Sequence, residues 1–330
     1  MPYSDLIEKL LEGNTRAAAR LITLVENDIE AAEEIVNVIY KNTGKAYILG
    51  VTGAPGSGKS TFISNLTKFF VKQGKKIGII CVDPSSPLTG GALLGDRIRM
   101  KENFSLDNVF IRSMANRGQL GGLARATEDS IKILDAYGCD VVIVETVGVG
   151  QSEVDIFKSA HTVVVLLVPG LGDDIQAIKA GIMEITDIFV VNKMDLSGAD
   201  KKVAEITQML ELDMNYKYKS NNTDENYAKI ANWTPKIAKV NSKTSENFEE
   251  VIELIEEHKK FLEESGIIAN YQVNRIKSEI LQILKHKITK KVEGLISSNS
   301  DIDEYIRLVM DKSLDPYSMA NLIIKLLGIE

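Results

Sequence analysis

At 330 residues, 44% of them hydrophobic, the chain is long enough for one sizeable α/β core with one or two smaller helical pieces. A net charge of -7 disfavours broad contact with nucleic acid or with an anionic membrane. Two cysteines, Cys81 and Cys139, each inside an apolar run, disfavour both a disulfide framework and a thiolate metal site, and a reducing cytoplasm is the expected compartment.

The opening MPYSDLIEKLLEG lacks a basic stretch followed by an unbroken apolar one, so it does not read as a secretory signal. No apolar run approaches the ~20 residues that a membrane span requires. Residues 4–42 follow helical spacing, with Leu6, Leu10 and Leu11 in one stripe and Ala18, Leu21, Ile22 and Val25 in a second. From Tyr47 the pattern changes to seven short apolar runs separated by helical patterns: AYILGVTG, KIGIICVD, NVFIRSM, CDVVIVET, TVVVLLVPG, DIFVVNKMD and KIAKVNSKT. That alternation predicts an α/β fold with a mainly parallel, doubly wound sheet and ligand loops at the C-terminal strand ends. The polar stretch from Lys217 to Tyr227 reads as a surface loop. After Ser265 and Gly266, Val273, Ile276, Ile280, Leu284, Ile288 and Val292 mark a long amphipathic helix, and Asp315 and Pro316 read as the N-cap and first residue of a last one. The expected division is a helical segment over 1–44, a nucleotide-binding domain over 45–265 and a helical arm over 266–330. An end this apolar either packs back on the sheet or joins a second copy, and a homodimer is expected.

Gly53, Ala54, Pro55, Gly56, Ser57, Gly58, Lys59, Ser60 and Thr61 form GAPGSGKST, a GxxxxGK[ST] loop between a strand pattern and a helix pattern. Such a loop aims backbone N–H groups at a polyphosphate, with Lys59 reaching the β- and γ-phosphates and Ser60 binding Mg²⁺. The base is read from VVNKMD, where Asn192, Lys193 and Asp195 close a strand as NKxD. Asp195 can accept from the N1–H and 2-amino group of guanine, whereas adenine offers an acceptor at N1 and has no 2-amino group. A buried carboxylate left unpaired costs about 1–3 kcal/mol or more, so GTP and GDP are expected and ATP is not. NSKT follows the next strand, where backbone N–H groups around Ser242, Lys243 and Thr244 are placed to meet guanine O6.

The run VVIVETVGVG ends in Glu145, at the position where P-loop GTPases carry the Asp of DxxG. A carboxylate there holds Mg²⁺ through water and Gly148 senses the γ-phosphate, although structural ion pairs also bury carboxylates. The residue after Gly148 is Val149 and the nearest Gln is Gln151, so intrinsic hydrolysis is expected to be slow and completed by a partner or a loop. Lys179 in PGLGDDIQAIKAG is a candidate for that loop and equally fits a solvated helix lysine.

VDPSSPLTGGALLGDRIRM, RGQLGGLARAT, ETVGVGQSE and GDDIQAIKAGI together resemble the MeaB/ArgK/MMAA family of P-loop GTPases, G-protein chaperones of adenosylcobalamin-dependent acyl-CoA mutases. The resemblance runs from about Asn14 to Leu262. It implies a metallochaperone-type GTPase domain of the SIMIBI class, with a helical N-terminal piece and a C-terminal dimerisation arm. It also implies that Asp83 and Asp96 join Ser60 and Glu145 around the metal, and that the Lys179 loop responds to the mutase. The implied activity is GTP binding and hydrolysis that gate adenosylcobalamin delivery to, and protect, a methylmalonyl-CoA mutase-like client.

Other classes fit less well. A nickel- or cobalt-inserting GTPase needs a Cys/His cluster, but His161, His258 and His286 are scattered and no CxxC occurs. His258 falls with Val251, Leu254, Ile255 and Leu262 on one helix face, which favours packing over ligation. A signal-recognition GTPase would want a Met-rich or basic RNA-binding region. A small-molecule kinase, the arginine-transport reading, conflicts with Asp195.

Overall fold

A computed structural model describes residues 2–83, 108–115, 122–146, 160–170, 185–219, 233–298 and 300–326. The chain divides into two compact units, Met1–Arg275 and Ile276–Glu330.

Within the first unit, seven strands among the described residues form one sheet: β1 (Tyr47–Gly53), β2 (Ile77–Asp83), β3 (Val109–Ala115), β4 (Val141–Thr146), β5 (Thr162–Leu167), β6 (Ile188–Val191) and β7 (Lys236–Lys239). Each coincides with one of the seven apolar runs, β3 extending one residue past its own. Their order is β3-β2-β4-β1-β5-β6-β7 and every pairing is parallel, so all C-terminal ends share one edge. Alternation along β1 sends Ile48 to one core and Leu49 and Val51 to the other, as period-two geometry requires of a strand covered on both faces.

Helices α1 (Ser4–Leu11), α2 (Thr15–Asn27), α3 (Ile29–Ile39), α5 (Gly122–Ala136) and α6 (Ala199–Lys219) belong to one face. Helices α4 (Lys59–Lys72) and α7 (Phe248–Glu264) cover the other. The N-terminal helices therefore share a core with the sheet. Asn14 caps α2 by accepting from the Ala17 N–H, and Asp28 caps α3 through the Glu30 and Ala31 N–H groups. The Arg112 guanidinium pairs with Glu26, and Arg125 donates to the Val25 carbonyl at 2.9 Å, pinning α2 to β3 and α5.

Two boundaries differ from the sequence expectation. Ile7 and Leu10 form the buried face of α1, while Leu11 is 45% exposed, because it lies about 100° round the helix from Leu10, beyond Ile7 at the edge of the apolar stripe. The loop expected from Lys217 begins no earlier than 220, since α6 runs through Lys219 and residues 220–232 lie outside the described residues.

At the N-terminal strand ends, His258 is buried on α7 as its spacing predicts. Its Nδ1 lies 2.7 Å from Thr162 Oγ1 and its Nε2 lies 3.4 Å from Asp187 Oδ1. Asp187 Oδ2 accepts from the Val163 N–H at 2.8 Å, and Trp233 packs on the imidazole with ring centroids 4.5 Å apart. Burial lifts the Asp187 carboxyl from 3.8 to about 7; burial, helped by His161, pushes the His258 imidazole from 6.5 down to about 4.

The carboxyl therefore contributes its full stability below 3.8 and loses it as pH rises to about 7. The imidazole contributes above 6.5 and loses that as pH falls to about 4. Asp187→Asn removes the first dependence while keeping an acceptor for Val163. Its stability relative to the native protein is expected to rise by about 2–3 kcal/mol between about pH 5 and about pH 8, read from urea midpoints. An advantage that stays constant with pH would show that Asp187 does not titrate in this window.

The second unit holds the rest of α8 (Ile267–Ser298), then α9 (Ser300–Met310) and α10 (Pro316–Leu326). Asp315 caps α10 as expected, accepting from the Tyr317 and Ser318 N–H groups. Ile276, Ile280, Leu281, Leu284 and Ile288 on α8 are exposed in the single chain. Among the described residues no helix is long and apolar enough to cross a membrane.

Candidate nucleotide site

The loop from Gly53 to Gly58 joins β1 at the centre of the sheet to α4. Two of its glycines are dictated by close approach. A Cβ on Gly53 would lie 2.3 Å from the Leu166 carbonyl oxygen, and one on Gly58 would lie 2.4 Å from Asn192 Nδ2. Helix α4 starts at Lys59 behind Gly58 with no side-chain cap, so its first-turn N–H groups face the loop as an anion site. Pro55 and Gly56 are exposed, Ala54 and Ser60 are half-buried, Ser57 is buried and Thr61 is exposed. Lys59 is only 6% exposed, and its Nζ donates to the Gly53 carbonyl at 2.8 Å and the Ala54 carbonyl at 3.2 Å. The cation is thus held along the loop, beside the amides that would meet phosphate.

Glu145 is the next-to-last residue of the buried strand β4, between β2 and β1, in register with Cys81 and Val51, and is 2% exposed. Ser60 Oγ donates to its Oε1 at 3.4 Å, and Cys81 Sγ lies 3.7 Å from its Oε2. The hydroxyl and carboxylate picked out as metal ligands are therefore neighbours across 85 residues of sequence. Cys81, readable from sequence only as a core residue, is also a partner of that carboxylate. Behind it, Thr146 Oγ1 donates to Thr52 Oγ1 at 3.1 Å, tying β4 to the strand that feeds the loop. The backbone of Asp83 ends β2 at the same sheet edge. Asp96, Gly148 and Lys179 lie outside the described residues.

Asn192 ties three segments together. Its Nδ2 donates to the Ser57 carbonyl at 2.7 Å, and its Oδ1 accepts from the Lys193 N–H at 2.8 Å and the Ser242 N–H at 3.0 Å. One amide so connects the phosphate loop, NKxD and NSKT. Lys193 adopts a left-handed backbone, φ 57°, and its Nζ donates to the Gly56 carbonyl at 2.9 Å. Ser242 is clamped from its other side by Asn65 of α4, whose Nδ2 donates to the Ser242 carbonyl at 2.7 Å. Asn65 was not singled out from sequence; a polar residue between buried Ile63 and Leu66 was the available signal. Asp195 is exposed at the mouth, where its Oδ1 accepts from Asn241 Nδ2 at 2.9 Å. Lys243 and Thr244 are also exposed, and the Lys243 N–H donates to Asn241 Oδ1 at 3.1 Å.

A family model described as methylmalonyl Co-A mutase-associated GTPase MeaB matches residues 18–296. The chain belongs to the MeaB family. A putative GTPase of Pyrococcus horikoshii is 53% identical to this MeaB-family protein over 98% of each chain. The GTPase ArgK of Escherichia coli is 33% identical over 92% of this chain and 89% of its own. A solved structure described as LAO/AO transport system kinase superposes with a TM-score of 0.68 at 25% identity, covering 98% of this chain and 97% of that one. The MeaB-family chain is a P-loop GTPase that binds guanine nucleotide, with its phosphate loop, Glu145 and NKxD brought to one edge of the sheet.

Proposed function

We propose that GTP binding and hydrolysis by this chain gate the loading of adenosylcobalamin into an acyl-CoA mutase of the methylmalonyl-CoA mutase type, and protect that enzyme. What supports this is the family match over residues 18–296 together with the Asn192 amide that joins the phosphate loop to the NKxD and NSKT segments. The γ-phosphate biases a two-state surface, and the surface is what the mutase reads. Basal turnover is slow, because Val149 stands where many GTPases place a water-orienting Gln.

Hard-oxygen chemistry at Ser60 and Glu145 fits Mg²⁺: a hydroxyl and a buried carboxylate already lie within 3.4 Å of each other. Those two residues would hold the ion, with Asp83 and Asp96 as further acids near it. The ion would neutralise charge on the β- and γ-phosphates. Glu145→Gln is expected to raise the Mg²⁺ concentration needed for half-maximal tightening of GTP binding by about tenfold or more, while GDP binding without Mg²⁺ stays put. Fluorescent-nucleotide titration reads both.

The chain acts as a homodimer joined through the exposed apolar face of α8. Ile280→Asp combined with Leu284→Asp is expected to halve the mass seen by light scattering. A mass unchanged by both substitutions would remove α8 from the interface.

The test of client identity is γ-phosphate release from the purified chain with and without an adenosylcobalamin-dependent mutase. A several-fold increase is expected. Stimulation by a hydrogenase or urease precursor instead, or phosphorylation of arginine, would overturn the proposal.

A further inference from the structure

Helix α4 carries a polar side chain back to the loop that follows β7. Asn65 stands less than two turns past Lys59, roughly 9 Å along the axis from the phosphate end of the helix. Its side chain meets the Ser242 carbonyl at 2.7 Å, and a carbonyl requires a donor, so the amide nitrogen is the end that faces it. The Ser242 N–H is itself given to Asn192 Oδ1 at 3.0 Å. Of the amides expected to meet guanine O6, the next is that of Lys243, which belongs to the same peptide unit as the Ser242 carbonyl. That peptide is trans, so its C=O and N–H point in opposite directions. A donor gripping the carbonyl therefore fixes where the Lys243 N–H points. This N–H lies 3.1 Å from Asn241 Oδ1, and Asn241 also donates to Asp195, so the amide is within one side chain of the carboxylate assigned to the base. An N–H can be shared between two acceptors, which leaves it able to meet O6 as well. The loop is closed beyond it by the Asn241 N–H, which donates to the Glu246 carbonyl at 3.2 Å. Phe62 of α4 packs on Phe248 of α7 just after the loop, with ring centroids 5.2 Å apart.

We propose that Asn65 is a specificity-determining positioning residue for the base: by holding the Ser242 carbonyl it keeps the Lys243 N–H turned towards guanine O6, and it fastens the base loop to the helix whose first turn faces the phosphates. This rests on the reading of guanine by Asp195 and NSKT. Without the donor on α4 the Ser242–Lys243 peptide is free to turn, and ordering it again on binding lowers base affinity. The effect is confined to O6, because N1–H and the amino group at C2 face Asp195.

The experiment compares the full-length protein with Asn65→Leu in binding GDP, 6-thioguanosine diphosphate and tripolyphosphate, by calorimetry. Leucine keeps the size of the side chain and loses the donor. The thio analogue keeps N1–H and the C2 amino group for Asp195 but replaces O6 by sulfur, a weak acceptor, and tripolyphosphate has no base. For Asn65→Leu, GDP is expected to bind about three- to tenfold more weakly and the thio analogue less than about twofold more weakly, with tripolyphosphate unchanged. The native preference for GDP over the thio analogue shrinks accordingly. Asn65→Asp keeps the shape but offers the carbonyl only acceptors, so it moves the same way and serves if the leucine variant does not fold. Unchanged GDP binding in a folded variant overturns the proposal, as does a native protein that binds GDP and the thio analogue equally. An equal loss for both nucleotides also overturns it, since Asn65 then supports the loop without directing the amide. A loss for tripolyphosphate overturns it by placing the effect on the phosphate end of α4. Failure of the unsubstituted protein to prefer GDP over ADP would instead sink the reading of guanine by Asp195, and that arm is scored without any variant.

Discussion

Replacing Lys59 with alanine is expected to lower single-turnover GTP cleavage by about 10²–10³-fold, the size of effect seen when one preorganised electrostatic donor is removed from a charge-developing site. The reason lies in where the ammonium sits. It is nearly buried, at 6% exposure, and it donates to the Gly53 and Ala54 carbonyls of the loop expected to cradle the phosphates. A cation held there needs only a short swing to meet charge on a triphosphate, and nothing else in the described loop carries a positive charge. The native fold should survive, because hydrogen bonds from Nζ to the two loop carbonyls are each worth only about 1 kcal/mol net. Arginine is not a substitute, since a planar fork does not fit where a compact ammonium donates to two adjacent carbonyls. Turnover within tenfold of the native rate, at saturating GTP, would show that Lys59 is not the phosphate cation.

The second large effect is expected on base choice. Asp195→Asn should weaken GDP binding by about a hundredfold and improve binding of xanthosine diphosphate. Guanine offers N1–H and an amino group at C2, both donors, and a carboxylate accepts from both. Xanthine keeps N1–H but carries an oxygen at C2, so the carboxylate faces an acceptor while a carboxamide can accept from one group and donate to the other. Asp195 stands at the exposed mouth, so the exchange alters recognition with little disturbance of the core. A large fall in GDP affinity is therefore attributable to the base. An unchanged ratio of guanine to xanthine binding would place the base elsewhere.

Much of this architecture was legible in sequence because its signals are local. Each strand is a short run rich in Val and Ile, bounded by Gly, Asp or Asn, and a strand covered on both faces tolerates little else. The GAPGSGKST loop is contiguous, so strand, loop and helix could be placed from spacing alone. Boundaries were less visible. Leu11 has the composition of a core residue but the wrong angular position, and residues 217–219 have a loop's composition yet continue α6.

By itself the sequence determined the seven strands, the phosphate loop, the NKxD and NSKT segments, and the burial of Glu145 at a strand end. Only the tertiary structure decided which of these touch. Asn192 reaches Ser57 across 135 residues and Ser242 across 50, Asn65 reaches Ser242 across 177, and Cys81 meets Glu145 across 64. His161 and His258, scattered in the chain, come near enough at the N-terminal strand ends for the first to help depress the second's imidazole, because β1, β5 and β6 are neighbours there. Periodicity records which face of an element is apolar. It does not record the order β3-β2-β4-β1-β5-β6-β7, and it is that order which sets two distant side chains within the 3 Å or so a hydrogen bond requires.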